Sequence, residues 1–121
     1  MTMTKDDPTL LARYLDVTNA VFAAHRDELP VMQQLELGET ALEGRCVRVV
    51  VTDESGARPH RLAVRFRNGR LSPAEPKTAE PGLVWLLSRR HMEHVVETPE
   101  AALADPQRLD WGWMQASLGE Y

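Results

Sequence analysis

The chain has 121 residues, with 14 Lys+Arg against 18 Asp+Glu, a formal net charge of −4, 43% apolar and 26% charged residues. That length suits one domain, and the composition is that of a folded globular protein rather than a disordered one. The mildly acidic balance argues against bulk nucleic-acid binding, and no apolar run approaches the ~20 residues of a membrane span.

Residues 1–7 read as a frayed tail whose polar, acidic character is unlike a signal peptide. Asp7-Pro8 then marks a helix start, an acidic cap followed by proline at the first helical position. Leu10, Leu11, Tyr14, Val17, Thr18, Val21 and Phe22 recur at three- and four-residue spacing, which predicts an amphipathic helix running to about Glu28. Pro30 blocks its continuation. Residues 31–43, with Val31, Met32, Leu35, Leu37 and Leu42 around Gly38, predict a short second helix or a turn.

The pattern changes at Gly44. Residues 46–52 are β-branched and strand-like, and 53–59 carry turn chemistry. Residues 60–67 alternate, with Leu62, Val64 and Phe66 toward one side and Arg61, Ala63, Arg65 and Arg67 toward the other. Asn68-Gly69 is a hairpin signal that returns the chain through 70–72 as a third strand. Prolines and a glycine make 73–82 a loop. Residues 83–87 are apolar on both faces and predict a covered strand. Ser88 can cap a helix over 89–97, Thr98-Pro99 a short helix over 99–104, and Asp105-Pro106 ends it. A last strand is predicted near 111–118.

Charge is unevenly spread. Residues 45–70 hold seven arginines against Asp53 and Glu54, a local +5, so the remainder of the chain carries −9. Arg61, Arg65 and Arg67 share a strand face and Arg48 is expected on the neighbouring strand. They read either as an anion contact or as a solvated face whose arginines pair with the chain's own acids. Cys46 is the sole cysteine and reads as a structural thiol, with no internal disulfide and a cytoplasmic setting as the default expectation. His91 and His94 stand three apart on one predicted helix. Glu93 points away from them, and no third ligand is legible, so neither a metal nor a cofactor is expected. Gly-rich phosphate loops and nucleophile-elbow motifs are missing from the sequence.

The order helix, hairpin strands, loop, strand, helix, short helix, strand is similar over residues 44–118 to the sterol carrier protein 2 family. The stretches that carry the resemblance are Leu62-Ala63-Val64-Arg65-Phe66-Arg67-Asn68-Gly69-Arg70-Leu71-Ser72 and Glu80-Pro81-Gly82-Leu83-Val84-Trp85-Leu86-Leu87-Ser88, followed by the two helical segments. Leu109-Asp110-Trp111-Gly112-Trp113 departs from the run the family shows entering its last strand. The resemblance implies one α+β domain: a mainly antiparallel sheet of about five strands, with helices on one face. Residues 8–43 form the helical lead-in and 44–118 the sheet and its helices.

It also implies a carrier of an apolar or amphipathic small molecule, such as a lipid, fatty acyl group or polycyclic metabolite, held between sheet and helices. The lining would come from Leu62, Val64, Phe66, Leu83, Trp85, Met92, Val95, Val96, Trp111 and Trp113. Arg48, Arg61, Arg65 and Arg67 would face a charged head group. Two alternatives stay open. One is a small tailoring enzyme in which His91, His94 or Asp110 moves a proton. The other is an interaction module whose Trp-rich end is covered by a second copy or another chain.

Overall fold

The first helix begins at the acid–proline pair. The computed structural model describes residues 7–42, 45–52, 61–67, 69–75, 77 and 83–110. Helix α1 spans Asp7–His25. Leu10, Leu11, Tyr14, Leu15, Val21 and Phe22 are each 2% exposed or less. The stripe is wider than the spacing suggests, because Leu15 lies one turn beyond Leu11 and also faces inward.

α1 ends at His25, three residues short of the expected Glu28, and the Glu28 N–H closes a turn onto the His25 carbonyl at 2.9 Å. The expected short helix or turn is a 14-residue helix, α2 (Leu29–Leu42). Pro30 explains both ends: the ring that cannot continue α1 is tolerated in the first turn of α2, where its missing N–H has no helical partner to lose. At this joint the His25 ring meets two acceptors. Nε2 donates to the Leu103 carbonyl at 2.6 Å, and Nδ1 lies 2.7 Å from a Glu28 carboxylate oxygen. Only the imidazolium satisfies both, so the Leu103 carbonyl first and Glu28 second hold the ring's pKa above its ordinary value.

The strands are β1 (Cys46–Thr52), β2 (Arg61–Arg67), β3 (Arg70–Ala74) and β4 (Val84–Ser88), in spatial order β3-β2-β1-β4. β1–β2 and β2–β3 are antiparallel, whereas β1–β4 is parallel, so the described sheet is mixed. The strand expected at 111–118 and the turn at 53–59 lie outside the described residues. Gly69 has φ 74°, the left-handed conformation that a glycine adopts without a Cβ clash. β3 continues through Pro73 to Ala74, two residues into the expected loop, which the sheet accepts because β3 lies at the edge of the described strands. β4 departs further from expectation. Among the described residues it pairs with β1 alone, and its Leu86 is 42% exposed, so it lies at the edge of the described sheet with one face partly open.

Register fixes the two faces. Val47, Val49 and Val51 share a side with Leu62 and Val64, with Phe66 and Leu71 beyond them, and with Trp85 and Leu87 of β4. This side meets α1 in one core. The remaining elements are α3 (Arg89–Glu97), α4 (Pro99–Ala104) and a 3-10 turn over Pro106–Arg108. Ser88 caps α3 as expected, its Oγ accepting the His91 N–H at 3.3 Å. Thr98 does not cap α4 with its side chain. Its hydroxyl donates back to the His94 carbonyl at 2.9 Å and closes the end of α3. None of the described helices is long and apolar enough to cross a membrane.

Asn19 ties α1 to the sheet edge. Its Nδ2 donates to the Leu71 carbonyl at 2.7 Å, and its Oδ1 accepts the Leu71 N–H at 2.8 Å. One amide thus occupies a backbone position that a further strand would otherwise seek. Asn19→Ala is expected to cost about 1–2 kcal/mol in urea unfolding, the order of two modest hydrogen bonds. A loss below a few tenths would mean that water replaces the clamp.

Candidate functional site

The apolar residues expected to line a cavity are packed into the core. Val64, Phe66 and Met92 are 0% exposed, Trp85 1%, Val95 2% and Leu83 6%, all within one cluster, and Leu62 and Val96 pack against its margin. Trp111 and Trp113 lie outside the described residues. The helical side of the sheet is therefore occupied by α1 and α3 side chains wherever these residues reach.

The opposite face is different. The alternation that buries Val47, Val49 and Val51 turns Cys46, Arg48 and Val50 of β1 the other way. Pairing adds Arg61, Ala63 and Arg65 of β2, Ser72 of β3, and Val84 and Leu86 of β4. Arg67 and Arg70 are cross-strand partners at the hairpin end of the same face. Arg48, Arg61, Arg65 and Arg67 thus hold register positions on one face of the sheet, and Arg70 holds another beside Arg67. The sequence carried the signal for Arg70: a two-residue Asn-Gly turn pairs the residues on either side of it.

Among the described residues, Arg48, Arg65, Arg67 and Arg70 form no ion pair with a carboxylate, so no described acid neutralises these four. Arg65 is the most constrained of them. Its Nη2 donates to the Cys46 sulfur at 3.3 Å, while its Nε–H is buried without a hydrogen-bond partner. Buried donors are seldom left so, because each orphan costs about 1–3 kcal/mol. The thiol of Cys46 is 3% exposed, which agrees with a structural role. Val50 and Val84 are half-buried, and the exposed Leu86 completes an apolar strip beside the guanidinium groups.

The two histidines of α3 diverge. His91 turns inward, its Nε2 3.1 Å from the Tyr14 hydroxyl and the two rings edge to face at 5.5 Å. That hydroxyl also accepts the Asp110 N–H at 2.9 Å, and the Asp110 Oδ1 accepts from the Trp85 indole at 3.2 Å. The chain Trp85–Asp110–Tyr14–His91 links β4, residue 110, α1 and α3, with a fully buried phenol at its centre. Burial is the main cause holding the His91 pKa below its ordinary value. The Asp110 charge opposes this and His94 adds to it. Burial likewise pushes the Tyr14 phenol well above its ordinary range.

His94 is exposed on a groove of about 170 Å3 that Val95, Thr98, Ala101, Ala102 and Arg108 complete. Among the described residues, no three His, Cys, Asp or Glu side chains gather as a metal site would require. Sequence reasoning named His91 and Asp110 but missed Tyr14, whose position on the apolar stripe of α1 looks like ordinary core. No protein-family model, curated protein or solved structure matches this chain.

Proposed function

We propose that the chain binds a small amphipathic molecule with an anionic head group, and that the arginine-bearing face of the sheet receives it. Arg48, Arg61 and Arg65 hold the head group, with Arg67 at the end of the field. Val50, Val84 and Leu86 take the apolar body. The observation that carries this reading is the buried, unpartnered Arg65 Nε–H among arginines with no described carboxylate partner. The similarity of the sequence to lipid carriers favours a fatty acyl chain or a comparable lipid-like acid as the ligand class.

The same ligand class on the helical side would have to part Phe66, Trp85 and Met92, which are each 1% exposed or less. Each would give up about 1.5–3 kcal/mol of burial for the ligand to restore.

The test is calorimetric titration with fatty acids and acyl phosphates. Arg48→Gln combined with Arg65→Gln is expected to weaken binding roughly 10- to 100-fold, the loss of one charge-assisted contact or two. Binding by the native protein is expected to weaken as salt rises. Unchanged affinity in that variant, with loss in Met92→Lys, would move the ligand to the helical side. No binding across the panel would end the reading.

A further inference from the structure

Opposite charges meet at the β2–β3 turn. On one side of Gly69 lies a groove of about 260 Å3 lined by Arg26, Met32, Leu35, Glu36, Glu39 and Gly69. Met32 and Leu35 supply apolar lining, and Glu36 and Glu39 are exposed carboxylates one turn apart on α2. On the other side, Arg67 and Arg70 flank the same turn, paired across the hairpin and exposed. Among the described residues none of these four forms an ion pair, and neither does Arg26. Leu37, next to Glu36, is 60% exposed, and Leu29, two turns earlier on the same helix face, is 63% exposed. Large apolar side chains left this open beside unpaired charge are what a partner surface covers.

A patch with an acidic half and a basic half on either side of one turn is complementary to itself. A twofold rotation lays the acidic half of one copy on the basic half of the other, and does so twice. We infer that two copies of this chain associate through this patch, Glu36 and Glu39 of each receiving Arg67 and Arg70 of the other, with Leu37 withdrawn from water between them. Arg26 leaves the groove one net negative charge, so the arriving guanidinium groups still meet attraction. This pairing does not rest on the ligand reading, which depends on Arg48 and Arg65.

Sedimentation velocity across protein concentration tests it. The native chain is expected to dimerise reversibly, and the dimer to weaken as salt shortens the screening length below about 10 Å. The all-positive variant Glu36→Arg/Glu39→Arg and the all-negative variant Arg67→Glu/Arg70→Glu should each sediment as monomers. Their equimolar mixture should recover the dimer, because both contacts then oppose unlike charges. Leu37→Lys gives a second, independent disruption that leaves the four charges in place. Far-UV circular dichroism confirms that each variant is folded. A native chain that stays monomeric at every concentration would overturn the inference. So would a dimer indifferent to both charge reversals, or a mixture of the two variants that remains monomeric.

Discussion

Trp85→Ala is expected to lower the unfolding free energy by about 3–5 kcal/mol, the range for deleting a buried large aromatic. Trp85 is 1% exposed and sits opposite Val49 across the β1–β4 pair. Its ring centroid is 6.4 Å from that of Tyr14, and its N–H holds Asp110. Removing it opens a cavity where sheet, α1 and residue 110 converge, and a domain of this size has only about 5–15 kcal/mol in total. Trp85→Phe keeps most of the packing and gives up the indole donor, so about 1–2 kcal/mol is expected from it. Urea unfolding with an unchanged m-value checks both. A cost below about 1 kcal/mol for the alanine variant, recovered on adding a fatty acid, would mean that Trp85 borders a space meant for ligand. That result would return the ligand to the helical side of the sheet and count against the arginine face.

What could be read from the sequence followed from local rules. Period-two alternation placed Leu62, Val64 and Phe66 on one side of β2 and its arginines on the other, and residues 46–52 match β1 residue for residue. Ser88 and Pro99 marked the starts of α3 and α4 because capping chemistry acts over three or four residues. What escaped depends on tertiary placement. The apolar run at 83–87 looks the same whether a strand is central or at an edge, so the exposure of Leu86 and the parallel pairing of β4 were not legible. Thr98 stands between two helices, and only the geometry decides which one its hydroxyl serves. Asn19 and Tyr14 looked like members of a helix. Their partners lie 52 and 77 residues away in the chain, and a single sequence does not reveal such pairings.

Tyr14→Phe is the substitution with the next largest expected effect, about 2–4 kcal/mol, because one oxygen serves two partners and the phenyl ring can serve neither. The Asp110 N–H donates to the hydroxyl, which leaves the phenolic proton available to a neutral His91 that accepts at Nε2. This arrangement requires neutral His91 with its proton on Nδ1. Protonating Nε2 would remove that acceptor from a half-buried contact, and burial already disfavours the charge. The folded-state pKa of His91 is thus depressed below the ordinary 6.5 that the unfolded chain restores. Its contribution is present in full above pH 6.5. It is lost as pH falls toward the folded value, because the unfolded chain takes up the proton first. His25 acts in the opposite sense: its raised pKa stabilises the folded chain below pH 6.5 and loses that effect as pH rises through the folded value. Separating the two requires His91→Gln, which should flatten the acid limb of stability against pH and leave the His25 limb in place. If Tyr14→Phe unfolds within a few tenths of a kcal/mol of the native chain, and the acid limb survives in His91→Gln, the hydroxyl does not hold α1 against α3.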